Sequence, residues 1–303
     1  MATAAHWLEG ARLRTLPAAV APVIVGTAAA INMGVWEPLR AFLALVVALL
    51  LQVGVNFSND YSDGIRGTDD HRVGPPRLTA SGTVSPRTVL FAALACFAAA
   101  GAAGLVLVVL SGTWWLILAG IAAIIAAWFY TGGRTPYGYM GIGLSELMVF
   151  VFFGLMATAG TTYTQLMPGE DAALPAWVWL LACGMGLLSV ALLMVNNIRD
   201  IPTDRECGKV TLAVRLGDRI SRWVYVLSVL AAFFCLGGAL VLAPGAQPLL
   251  AALAVPTSGA LVYGIAQAKE RTQFLALLRN TGLHTLLWAF VAACGLLWVL
   301  FSS

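Results

Sequence analysis

A chain of 303 residues that is 60% hydrophobic and 10% charged, with a mean hydropathy of +0.87, has too little polar surface to enclose itself in water; soluble domains are roughly half apolar and about a quarter charged. Its apolar runs are continuous over about 18 residues or more, which excludes the alternation of a membrane β-barrel and matches helices that cross a hydrocarbon core ~30 Å thick. The net charge of +3 follows from the placement of bases along the spans and is no sign of nucleic-acid binding.

The segment "MATAAHWLEGARLRTLP" lacks the charged lead and cleavage site of a signal peptide, so the first apolar run is expected to be retained. Arg14 in this segment has two readings, a phosphate ligand or a topological anchor. Nine spans are predicted, over residues 16–33, 38–57, 87–110, 113–131, 140–160, 175–197, 222–243, 247–267 and 283–301, forming one membrane domain over residues 1–303. With the amino terminus in the cytoplasm, 16 of the 17 Lys and Arg residues fall inside and Arg40 alone falls outside. The positive-inside rule favours that orientation, in a multi-pass protein of the plasma membrane, the inner membrane of the cell. The five cysteines lie mostly within spans and show no metal spacing, so they read as small buried apolar residues.

Span 2 ends in "NFSNDYSDGIRGTDD", residues 56–70, which holds four of the chain's 14 acidic residues. The segment after it ends in "SGTVSPRT", where Ser85 is placed to cap span 3 and Pro86 to occupy its first turn. Between spans 4 and 5 comes "YTGGRTPYGYMGIGLSE", residues 130–146, which brings Arg134 and the tyrosines Tyr130 and Tyr137 to the same face. Glu146 lies inside the following apolar run. An ionisable group there reads as the mark of a functional cavity, or alternatively as a snorkelling or protonated structural residue.

Span 6 ends in an echo of the first motif, "NNIRDIPTDRECGKVTLAVRLG". Asn59-x-x-x-Asp63 followed by Asp69 corresponds to Asn196-x-x-x-Asp200 followed by Asp204, and Asn56-x-x-x-Asp60 is a second register of the first copy. Residues four apart share a helical face. Spans 2–5 and 6–9 therefore resemble an internal repeat. Asp70 and Glu206 read as ordinary loop charges, and His284 as a packed residue.

Two carboxylate clusters facing each other in a low-dielectric pocket need neutralisation. Mg²⁺ takes oxygen ligands and bridges carboxylates to phosphates. The nearby Arg72, Arg77, Arg134 and Lys209 suit the remaining oxygens of a diphosphate. The constellation reads as a Mg²⁺–diphosphate site above a bundle able to hold an apolar tail. A secondary transporter would also show repeats and polar groups in the membrane, but here the acids gather at one face.

Together these motifs resemble the UbiA superfamily of intramembrane aromatic prenyltransferases, and within it the branch acting on 1,4-dihydroxy-2-naphthoate. The resemblance implies an all-α, nine-helix bundle with cytoplasmic Asp-rich loops. It implies metal–diphosphate ligands at Asn59, Asp63, Asp69, Asn196, Asp200 and Asp204. Position 67 is Gly where many relatives carry the third acid, which leaves Asp69 or Asp60 for that role. A Tyr-x-x-x-basic element matches Tyr130 and Arg134, and the loop arginines match Arg72 and Arg77. The implied reaction is Mg²⁺-dependent transfer from a polyprenyl diphosphate to the naphthoate with loss of CO₂, giving the menaquinone precursor demethylmenaquinol. Asp63 and Asp200 are the implied catalytic carboxylates, with Glu146 positioning or deprotonating a ring hydroxyl. The alternative acceptor is another aromatic such as 4-hydroxybenzoate.

Overall fold

The computed structural model describes residues 3–67, 77–166 and 173–302, and among them every regular element is helical. In chain order these are α1 (Ala4–Gly10), a 3-10 turn (Leu13–Thr15), α2 (Pro17–Asn32), α3 (Pro38–Arg66), α4 (Pro86–Ser111) and α5 (Leu116–Phe129). A 3-10 turn (Tyr137–Tyr139) leads to α6 (Leu144–Val149), a π-helical stretch (Phe150–Met156) and α7 (Ala157–Tyr163). Then come α8 (Ala176–Glu206), α9 (Leu212–Leu242), a 3-10 stretch (Pro248–Ala254), α10 (Val255–Gln267), α11 (Arg271–Leu296) and α12 (Val299–Ser302).

Among the described residues, seven helical segments are long and apolar enough to cross a membrane. An eighth is added if the segment Ala4–Thr15 is counted with α2, which it meets at a 52° bend. The fourth predicted span is the exception. Gly112 and Gly133 adopt positive φ on either side of α5, which is left with 14 residues, about 21 Å of helix. Among the described residues, the nine predicted spans thus correspond to seven or eight segments of spanning length and one shorter apolar helix.

The Asp-rich segments also differ from expectation. They are not loops over Asn59, Asp60, Asp63, Asn196, Asp200 and Asp204, because α3 and α8 continue beyond their apolar runs to Arg66 and Glu206. Asn and Asp are weak helix formers, but here neighbouring segments bind their side chains and keep the helices going. Gly67, at φ 72°, finally ends α3. Ser85 caps α4 by accepting the Thr88 N–H, with Pro86 in the first turn, as the sequence predicts.

The most extensively packed pairs are α8 with α9 and α3 with α4, and in each pair the first helix carries one motif at its end. Helix α8 runs through the middle of the bundle, with most of its apolar length buried. Around it Met185, Leu188, Leu236 and Trp288 form a core, in which the Trp288 indole donates to the Ala232 carbonyl at 3.1 Å. Glycine decides one contact outright. A Cβ on Gly154 would lie 2.3 Å from the Gly186 Cα, so the π-helical stretch rests backbone to backbone on α8.

Arg40, the one base predicted outside, donates to the carbonyls of Leu166 (2.8 Å) and Thr164 (3.3 Å) and so closes the end of α7. His284 is buried between α10 and α11, within 2.8 Å of the Thr257 hydroxyl, in agreement with its reading as a packed residue.

Candidate active site

The last turns of α3 send their polar side chains to different partners. Asn59 Oδ1 accepts the Thr131 hydroxyl at 2.8 Å, Asp63 accepts the Tyr139 hydroxyl, and Arg66 donates to the carbonyls of Thr131 and Gly133. The 131–139 segment is thereby fastened to α3. The Tyr139 ring has the Arg66 guanidinium 5.5 Å from its centroid and the Lys209 ammonium 5.0 Å from it, contacts worth about 0.5–1 kcal/mol each. Tyr137 packs 5.6 Å from Tyr130 and donates to the Ala126 carbonyl at 2.9 Å; burial pushes its phenol above the usual range, so it stays protonated.

Asp60 faces another way. Fully buried, it accepts the backbone N–H groups of Leu78 (3.0 Å) and Thr79 (2.9 Å). One turn on, Gly64 leaves room for Thr79, whose Cγ2 would lie 2.4 Å from an added Cβ. Asp60 therefore ties the 77–84 turn to α3, and that turn carries Arg77. Asn56 donates to the Ala11 carbonyl (2.8 Å) and the Thr15 hydroxyl (3.0 Å), which ties the link between α1 and α2 to α3.

On α8, Asn196, Asp200 and Asp204 lie four apart and share one face. Arg199 holds two of them, through Nε to Asp200 Oδ1 (2.7 Å) and Nη2 to both Asp200 Oδ2 (2.5 Å) and Asn196 Oδ1 (2.8 Å). Arg271 at the start of α11 approaches Asp200 Oδ1 at 3.8 Å, and Lys209 approaches Asp204 at 4.0 Å.

The two motifs meet across a polar cavity of about 50 Å³, with Asn59 and Asp63 on one side and Asn196, Asn197, Asp200 and Asp204 on the other. Arg12, Arg77, Lys209, Tyr130, Thr131 and Thr203 complete its wall. A second cavity of about 710 Å³ shares Arg12, Asn59, Arg77, Tyr130 and Asn196 with the first. It continues past Ala100, Gly104, Ile121 and Phe152 to Thr164, beyond the far end of α7. An added Cβ on Gly101, Gly120 or Gly160, all in its wall, would meet no atom within 4 Å, so these glycines leave open space rather than close packing.

The structure thus brings Asn59, Asp63, Asn196, Asp200, Asp204, Arg77, Lys209 and Tyr130 to one polar chamber. It places Asn56, Asp60, Arg14 and Tyr137 along the larger cavity. Arg134 is exposed and lines neither. Glu146 is buried outside both cavities, and among the described residues neither of its oxygens has a hydrogen-bond partner. Asp69 and Arg72 lie outside the described residues.

Sequence reasoning passed over Arg12, Arg199, Thr131 and Tyr139. Arg199 stands inside the second motif, and its spacing from Asn196 was a usable signal. Arg12 gave none, since it reaches the chamber from a left-handed backbone at φ 53°; its Nη2 is buried with no partner among the described residues. The chamber's donors are carboxylate and amide oxygens, the ligands of hard cations. Among the described residues no three His, Cys, Asp or Glu side chains converge on one point. Acids divided between two walls, with bases among them, suit a cation shared with a bound anion better than one caged by protein alone.

Comparison with known proteins finds relatives over most of the chain. A 1,4-dihydroxy-2-naphthoate octaprenyltransferase of Mycobacterium tuberculosis is 47% identical over 307 residues, covering 97% of each chain. One of Escherichia coli is 40% identical over 237 residues, 76% of this chain and 74% of that one. A UbiA homologue from Archaeoglobus fulgidus, solved bound to GPP and Mg²⁺, has a TM-score of 0.66 at 13% identity, covering 95% of this chain and 99% of the other. The model of the UbiA prenyltransferase family matches residues 19–277, and on that extent of match the chain belongs to this family.

Proposed function

We propose that this protein transfers a polyprenyl group from its diphosphate to 1,4-dihydroxy-2-naphthoate with loss of CO₂, a step of menaquinone synthesis. The observation that carries the chemistry is the junction of the two cavities, a charged chamber opening on a long apolar one. The acceptor is supported by the names of the relatives from Mycobacterium tuberculosis and Escherichia coli. The base distribution supports placing the chamber on the cytoplasmic side of the plasma membrane.

Asn59, Asp63, Asn196, Asp200 and Asp204 fit Mg²⁺ by donor type. The carboxylate oxygens that face Arg199 and Tyr139 keep further lone pairs for a metal. When bound, Mg²⁺ neutralises the diphosphate and makes it a better leaving group. Arg12, Arg77 and Lys209 bind the remaining diphosphate oxygens, with Arg12 Nη2, which has no partner among the described residues, available as a donor. The prenyl tail lies along the apolar cavity, where water is excluded as the C1–O bond breaks. The aromatic faces of Tyr130, Phe152 and Phe153 in the cavity wall stabilise the allylic cation.

The ring carbon bearing the carboxylate then bonds to C1. Carbon dioxide leaves without its bonding electrons, which return to the ring and restore aromaticity. No carbon-bound proton has to be removed, so this step asks for no base from Glu146.

The test is transfer by the detergent-purified protein with 1,4-dihydroxy-2-naphthoate, a polyprenyl diphosphate, and Mg²⁺ or EDTA. A decarboxylated, Mg²⁺-dependent product is expected. Transfer to 4-hydroxybenzoate and not to the naphthoate would overturn the acceptor assignment.

A further inference from the structure

Gln52 lies on α3 seven residues before Asn59, two helical turns and about 10 Å deeper in the bundle, where the polar chamber gives way to the apolar cavity. It is 7% exposed and lines the larger cavity. Its amide nitrogen donates to the Thr15 hydroxyl oxygen (3.0 Å) and to Asn56 Oδ1 (3.4 Å).

The polarity of this network is dictated by two backbone carbonyls that can only accept. Asn56 Nδ2 donates to the Ala11 carbonyl at 2.8 Å, which turns Asn56 Oδ1 toward Gln52. The Thr15 hydroxyl donates to the Arg12 carbonyl at 2.9 Å, which leaves only its lone pairs for Gln52 and Asn56. A flipped Gln52 amide would set oxygen against oxygen at both contacts. The network therefore commits Gln52 Nε2 and leaves Oε1 as the unshared atom; among the described residues it accepts no hydrogen bond.

We infer that Gln52 Oε1 is the acceptor-binding contact of this site, receiving the O–H of one ring hydroxyl of the dihydroxynaphthoate. The inference rests on the proposed function and adds a specificity element to it. The contact calls for a donor, which a ring hydroxyl is and an ionised carboxylate or diphosphate is not. Its depth below the diphosphate chamber is that of a ring meeting the first carbon of the prenyl tail. Beside it on α3, Leu51 and Val55 line the same cavity with apolar side chains.

Two competition measurements test it. In the unaltered protein, 1-hydroxy-2-naphthoate and 4-hydroxy-2-naphthoate each lack one hydroxyl without adding bulk. One of them is expected to compete about tenfold more weakly than the other, relative to the parent acceptor, the loss of one good hydrogen bond. In Gln52→Met the naphthoate KM is expected to rise about tenfold while the polyprenyl diphosphate KM is unchanged, and the two deoxy competitors become equal. Equal competition by both analogues in the unaltered protein overturns the inference, as does Gln52→Met raising the donor KM as much as the acceptor KM. If the unaltered protein prenylates no dihydroxynaphthoate, the functional reading falls and takes the inference with it. If it does so with Gln52→Met still discriminating, the inference alone falls.

Discussion

Replacing Asp60 with Asn distinguishes a residue that builds the chamber from one that works in it. Both carboxylate oxygens of Asp60 accept buried backbone N–H groups, from Leu78 at 3.0 Å and Thr79 at 2.9 Å. Asparagine matches the shape but keeps one acceptor, and its NH₂ would face the second N–H. The change removes one charge-assisted hydrogen bond and strands a buried donor, together costing about 2–3 kcal/mol. At about 2–4 °C per kcal/mol for a chain of this order of size, the melting temperature in detergent should fall by roughly 5–10 °C. Activity below that temperature should persist, with the donor KM raised because the loosened turn carries Arg77. The assay is thermal unfolding followed by tryptophan fluorescence, beside initial rates at a temperature where both proteins are folded. An Asp60→Asn protein with unchanged melting and turnover down by a thousandfold would refute this reasoning and return Asp60 to the set of metal ligands.

Asp63→Asn, by contrast, should lower turnover by roughly 10²–10³-fold with little change in melting temperature, because its carboxylate faces the chamber; retained turnover would remove Asp63 from the catalytic set. Asp200→Ala should destabilise the protein by about 3 kcal/mol as well as inactivate it, since it leaves a guanidinium buried to 5% side-chain exposure without its carboxylate partner, Asn196 alone remaining to it. The double variant with Arg199→Met should recover part of that stability but no activity, and additive losses would show that the pair is not coupled. Arg12→Ala should raise the donor KM about tenfold or more and leave the naphthoate KM unchanged, as read by steady-state kinetics. Gly154→Ala should destabilise by more than about 3 kcal/mol, because its Cβ would meet the backbone of Gly186, whereas Gly101→Ala points into open space and should be neutral.

Much of this protein was legible in one dimension. Hydropathy and length gave the membrane class and most of the helices, because a bilayer admits few ways to satisfy a backbone. The i, i+4 spacing of Asn196, Asp200 and Asp204 identified one face of α8, and the echo at Asn59 and Asp63 identified its counterpart. Spacing describes positions around a single helix, however, and says nothing of how that helix is rotated against its neighbours. Only the tertiary structure decided that Asp63 faces the second motif while Asp60, three residues earlier, holds the 77–84 turn. It also decided that Arg134 is exposed and Glu146 buried, with neither lining either cavity. Arg12, itself left-handed in the bend before α2, enters the chamber, and Gln52 keeps an acceptor unshared among the described residues because carbonyls from Ala11 and Arg12 orient its partners. Each of these outcomes depends on hydrogen bonds between segments far apart in the chain, and a side chain's role is set by which distant group reaches it first.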